Sequence, residues 1–176
     1  MAKAATKRFP DGIKAEHCKE RRPIWTAWIR ASLLGALLAL GLFGFLGGAP
    51  TRDIRNVAEA AAMRVNLPNP IRNGMFIETR IDIAARQPIA DAVVAIPADL
   101  WREITINSLV PAATEEEYKD GEFRFHFGPL EAGERLLFKI DGQINPPRFA
   151  SASGRIRLLD GTRELVAVPV SLKVIP

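Results

Sequence analysis

From Ala31 to Ala49 the chain runs for 19 residues without a single charge. Wound as an α-helix, such a run spans about 28 Å, close to the hydrocarbon thickness of a bilayer. A removable export signal has an apolar region of only about 7–15 residues behind a short basic start, whereas here a long polar tail comes first. The small-residue cleavage site on offer, Gly47-Gly48-Ala49, would leave Pro50 at the new amino terminus, where proline hinders the peptidase. A helix buried in a soluble core keeps polar residues along one face. This one has only Ser32, near its start. The run therefore reads as a retained membrane anchor over residues 31–49.

Charge gives the expected orientation. Residues 1–30 carry eight Lys and Arg against three Asp and Glu, a net charge of +5, and the remaining residues sum to −1. The basic character of the chain thus belongs to its amino-terminal tail, and the part beyond the span has no nucleic-acid face. Lys and Arg beside a span stay on the cytoplasmic side, so residues 1–30 form a cytoplasmic tail and everything after residue 50 lies outside. Trp25 and Trp28 suit the headgroup layer, and Arg30 can snorkel its guanidinium to the same interface. Gly35 and Ala39 repeat along one helix face, and Gly44 and Gly48 have GxxxG spacing, so these four are candidates for close packing against another span or a second copy. Cys18 is the single cysteine, which leaves the outer domain without an internal disulfide. Its neighbour His17 lacks further metal ligands.

Past the anchor, residues 50–72 read as a juxtamembrane helix and linker. Alanine is plentiful there, and Ile54, Val57, Ala61 and Val65 fall near one helical face before Pro68 and Pro70 end the pattern. From residue 73 the period changes to two. Ile77, Thr79, Ile81 and Ile83 alternate with Glu78, Arg80 and Asp82. "ADAVVAIP" is a second strand, and Ile104 and Ile106 mark a third. Phe123, Phe125 and Phe127 share one face of "GEFRFHFGP", opposite Arg124 and His126. Leu136, Phe138 and Ile140 mark a fifth strand. Two more flank Asp160-Gly161-Thr162, a hairpin signal, and Pro169 in the last implies a bulge or an edge. Seven short strands in roughly a hundred residues predict an antiparallel β-sandwich of immunoglobulin type over residues 73–176, with a β-barrel as the competing architecture.

"RIDIAARQPIADAVVAIPA" and "FGPLEAGERLLFKI" resemble the opening hairpin and a later strand entry of bacterial immunoglobulin-like domains of the cell-adhesion-related kind. The resemblance implies a sandwich over residues 75–175 used for spacing, adhesion or assembly, and it carries over no catalytic residue.

No constellation for catalysis, cofactor or metal stands out. Glu115, Glu116, Glu117, Asp120 and Glu122 surround Tyr118 in what reads as a loop, but without the alternating ligand spacing of a calcium site. His126 and Asp141 fall on the polar faces of neighbouring predicted strands with no activated nucleophile beside them. Trp101, Tyr118, Pro146 and Pro147 are the candidates for contact with a partner. The expectation is a non-catalytic protein of the bacterial cytoplasmic membrane, with a periplasmic sandwich displayed to another membrane protein. A ligand or ion sensor signalling through the span is the alternative.

Overall fold

A computed structural model describes residues 24–45, 51–145 and 151–175. The chain divides into two compact units, Met1–Ala39 and Leu40–Pro176. Of the residues singled out in the sequence, Gly48, Pro146, Pro147 and most of the basic tail with His17 and Cys18 lie outside the described residues.

A single long helix, α1, runs from Ile24 to Leu42 with none of its residues buried. It is long and apolar enough to cross a membrane. It starts earlier than the uncharged run, so Trp25, Trp28 and Arg30 lie within its first two turns instead of ahead of it. Its end is set by Gly44, whose φ of 75° is the left-handed conformation glycine adopts without a Cβ clash. The Gly44 N–H donates to Gly41 O at 3.0 Å and the Phe45 N–H to Leu40 O at 2.9 Å, the two bonds of a Schellman cap. Gly44 thus closes the helix, and Gly48, its partner in the GxxxG spacing, lies outside the described residues. Gly35 and Ala39 do lie on α1, four residues apart.

The second unit is a sandwich of two five-stranded antiparallel sheets. The first has the order β1 (Thr51–Val57), β2 (Ala61–Pro68), β4 (Phe76–Ala85), β9 (Arg135–Ile144), β6 (Ile104–Val110). The second has the order β11 (Arg163–Leu172), β10 (Ala152–Asp160), β5 (Ala92–Pro97), β8 (Glu122–His126), β7 (Glu115–Lys119). A short helical turn, α2 (Ala98–Trp101), leads from β5 towards β6, and the two-residue strands β3 (Ile71–Arg72) and β12 (Val174–Ile175) pair in parallel. Asn69 clasps that joint: its Nδ2 donates to Ser171 O at 2.9 Å and its Oδ1 accepts from the Lys173 N–H at 3.0 Å.

The core lies between the sheets. Met63 and Val65 from β2, Ile81 and Ile83 from β4, Val94 and Ile96 from β5, Phe138 from β9, Leu158 from β10 and Val168 from β11 are fully or almost fully buried. Each such side chain contributes roughly 1.5–3 kcal/mol through removal from water. At one side the sheets are tied where Asn56 of β1 donates to Ala167 O of β11 at 2.8 Å.

The seven strands expected from period-two alternation are β4, β5, β6, β8, β9, β10 and β11, and all are present. Among the described residues there are twelve strands, not seven, and two of the additions overturn specific readings. The expected juxtamembrane helix over residues 50–72 is instead the β1–β2 hairpin followed by β3. Alanine favours helix only weakly, and the burial of Ala61, Met63, Val65 and Leu67 on one face of β2 outweighs it. The acidic stretch around Tyr118 is strand β7, paired residue for residue with β8, because β8 offers it a free edge.

Candidate interaction surface

The sandwich's two sides differ. Where β1 meets β11 it is tied shut, but β6 and β7 end their sheets on the opposite side, and no strand pairs with their outer edges among the described residues. All four terminal strands carry features that discourage further pairing. β1 is bonded across to β11, β11 contains Pro169, and β7 reads Glu-Glu-Glu-Tyr-Lys. β6, with the sequence Ile-Thr-Ile-Asn-Ser-Leu-Val, has no charge at all. Its ladder to β9 shifts register between Ile106 and Ser108.

Beside these edges stands a chain of six aromatic rings. Tyr118, 63% exposed, has its ring centroid 5.2 Å from that of Phe123. Phe123 lies 5.4 Å from Trp101, and Trp101 lies 5.6 Å from Phe125. Phe125 and Phe127 then meet the buried Phe138 at 5.3 and 4.8 Å. These spacings and tilts are those of favourable aromatic pairs. Period two explains the set, because Phe123, Phe125 and Phe127 face inward from β8 while Tyr118 stands opposite Phe123 in the β7–β8 ladder. Trp101 is brought in by α2, which turns the chain out of β5 beside them.

Trp101 forms a wall of two hollows. Outside is a groove of about 470 Å³ lined by Asp99, Trp101, Arg102, Tyr118 and Phe123 with two small residues. Inside is an apolar cavity of about 30 Å³, bounded by Trp101, Leu100, Ile104, Ile106 and other aliphatic side chains. The groove is bordered by charge. Asp99 pairs with Arg102 at 2.7 Å. Residues 99–122 contain seven acidic and two basic residues, but Glu117 and Asp120 pair with Arg124, and Glu122 with Arg157, away from the groove.

The structure thus joins two of the four candidates for partner contact, Trp101 and Tyr118. Phe123 links them. Sequence reasoning placed Phe123 in the core, and only the edge position of β7 leaves it within reach of the surface.

The acidic residues do not form a cation site. On a strand, neighbouring side chains alternate faces, so Glu116 turns to the Tyr118 face while Glu115 and Glu117 turn to the outer one. There Glu117 and Asp120 flank the Arg124 guanidinium at 3.4 and 3.1 Å. Arg157 is held by Glu122 through Nε at 3.1 Å and through a second, Nη2 contact, and by Glu164 at 3.3 Å. The Glu122 hydrogen bond is the largest influence raising the Arg157 pKa above its ordinary value, against opposing desolvation. This network roofs Val93, Ala95 and Leu159, a small apolar cluster on the outer face of the second sheet. It explains why β5 is buried on both faces.

His126 and Asp141 are not neighbours. Asp141 belongs to the first sheet and accepts a 2.7 Å hydrogen bond from the Ser108 hydroxyl. His126 belongs to the second, with Nδ1 2.9 Å from Asp91 Oδ2 and Nε2 3.8 Å from Glu117 Oε1. The Thr114 hydroxyl bonds the His126 carbonyl, not its ring. No nucleophile, base and orienting carboxylate converge among these groups.

No family model matches the chain, and a search of curated proteins finds no match. Among solved structures, the chain is similar to a non-cellulosomal cohesin from the hyperthermophilic archaeon Archaeoglobus fulgidus, at 12% identity and a TM-score of 0.38, over 73% of this chain and 93% of that one. It is also similar to the yeast delta-COP-I mu-homology domain, at 16% identity and a TM-score of 0.32, over 66% of this chain and 55% of that one. Likeness this distant carries no functional assignment, and the sandwich architecture rests on the sheet topology described above.

Proposed function

We propose that the chain is a non-catalytic, membrane-anchored interaction protein that presents its β-sandwich to another membrane protein. In this reading α1 spans the bacterial cytoplasmic membrane, the basic tail stays in the cytoplasm, and the sandwich stands in the periplasm. The length and apolar character of α1 support the anchor, and the +5 tail supports the orientation. One observation carries the interaction reading: Trp101, Phe123 and an exposed Tyr118 line a groove on the untied side of the sandwich. Large aromatics in a partly enclosed groove are the residues that dominate binding energy at protein interfaces.

In-cell photocrosslinking with the full chain tests it. A photoreactive side chain at position 118 is expected to capture a discrete membrane-fraction partner, and the yield is expected to fall at least tenfold on adding Trp101→Ala. The same group at Arg80, on the outer face of the first sheet, is the comparison. Equal products from 118 and 80, or none from either, would overturn the reading.

A further inference from the structure

We infer that the end of the sandwich where the chain leaves α1 carries a binding site for the headgroup of an anionic phospholipid, built around Arg52 and Lys173. The inference rests on the anchored reading above and specifies which lipid the domain meets. Both residues line a groove of about 570 Å³, together with Phe43, Phe45, Asn69 and Pro70. Every lining residue falls within the second unit, Leu40–Pro176. Asn69 is committed to the Ser171 carbonyl and the Lys173 N–H, so it fixes the wall and leaves recognition to the two cations. On β1, Arg52 shares a strand face with Ile54 and Asn56, while Asp53 turns to the other face and accepts a hydrogen bond from Asn66 at 2.5 Å. Neither Arg52 nor Lys173 forms an ion pair among the described residues, and no Asp or Glu lines the groove.

Position selects the occupant. Phe43 directly follows α1, and the Phe45 N–H completes the helix cap. Both rings are exposed, at 71% and 68%. Where α1 spans a bilayer, these rings meet the edge of the acyl chains and the two cations stand at the depth of the phosphates. A guanidinium offers phosphate oxygens a planar fork and an ammonium offers a point charge, whereas a zwitterionic headgroup brings its own cation into the same groove. Arg52 also lines an adjoining groove, again without Asp or Glu. An acidic protein segment or a free phosphate ion would satisfy the charges but leave both phenylalanines in water. An anionic lipid satisfies cations and rings together.

The probe is phosphatidylglycerol with a photoreactive group on its headgroup, mixed into phosphatidylcholine nanodiscs that hold the full chain. Attachment sites are mapped by peptide mass spectrometry. Attachment is expected within residues 43–45, 51–52 and 171–175. The yield is expected to fall at least tenfold when Arg52→Glu and Lys173→Glu are combined, both at exposed positions, with an unchanged melting temperature as the check on the fold. Arg52→Gln with Lys173→Gln removes the charge without reversing it and is expected to act in the same direction. Arg80→Glu, a charge reversal on the outer face of the first sheet, is expected to leave the yield unchanged. Equal yield from the matching phosphatidylcholine probe, full yield in either double variant, or attachment elsewhere would overturn the inference. Amide protection of the groove by inorganic phosphate or by a polyglutamate peptide, and not by phosphatidylglycerol, would do the same. Carbonate washing of native membranes separates the two readings. A chain that stays in the membrane under any of these outcomes loses only the headgroup site, and a chain released by the wash loses the anchored reading as well.

Discussion

Asp160 accepts hydrogen bonds from the N–H groups of Ala90 and Asp91, at 2.9 and 3.1 Å, and pairs with Arg163 at 3.2 Å. It thereby ties the β10–β11 hairpin to the turn that enters β5. The Asp91 N–H is the largest cause of a carboxyl held below its ordinary value of 3.8, with Arg163 and the Ala90 N–H adding to it and burial opposing. Folding therefore favours the ionised form. The stabilisation is complete above the unfolded-state value and is lost as pH falls through the lower folded-state value. Asp160→Ala is expected to cost about 1–3 kcal/mol near neutral pH. The gap from the native chain should narrow as pH falls below the ordinary carboxyl value and through the lower folded-state one, as read by urea denaturation across a pH series. At Gly142 the constraint is space: a Cβ would sit 2.9 Å from Ile104 Cγ2 and 3.1 Å from Thr105 O. Gly142→Ala is expected to loosen β6, with faster amide exchange in residues 104–106 and a lower melting temperature. Neither role is written in the residue itself: Asp160 reads only as part of a hairpin signal, and Gly142 lies within a strand with no signal of its own.

Strands whose alternation is strong were legible. β4, with Ile77, Ile81 and Ile83 against Glu78, Arg80 and Asp82, declares its buried face in its own sequence, and β8 and β9 do the same. β2 carries equally good alternation, but its alanines also satisfy a helical period, and the deciding term is a contact with β4 that no local window contains. β7 hides its period because Glu occupies both faces, and pairing with β8 is what makes it a strand. The groove was legible as parts only: Trp101 and Tyr118 are separated by all of β6, and their meeting depends on which strands end each sheet. The placement of β2 in the core gives a direct test. Met63→Ala is expected to destabilise the sandwich by about 2–5 kcal/mol, whereas a side chain on a surface helix would tolerate it nearly without cost. Thermal denaturation of the full chain in detergent distinguishes these.

For the whole molecule, the proposed topology makes Cys18, the single cysteine, a reporter of side. In spheroplasts a membrane-impermeant maleimide is expected to leave Cys18 unlabelled until the membrane is permeabilised, while Arg80→Cys, on the exposed sheet face, labels at once. The reverse pattern would invert the orientation argued from tail charge. The parallel joint between β3 and β12, clasped by Asn69 against Ser171 and Lys173, unites segments about a hundred residues apart in sequence. A nascent chain halted between residues 72 and 171 has made one half of that seam and none of the other. Assembly of this end of the domain therefore waits on synthesis of its last strands, and a chaperone guarding the emerging polypeptide would find the turn after β2 unsealed until then.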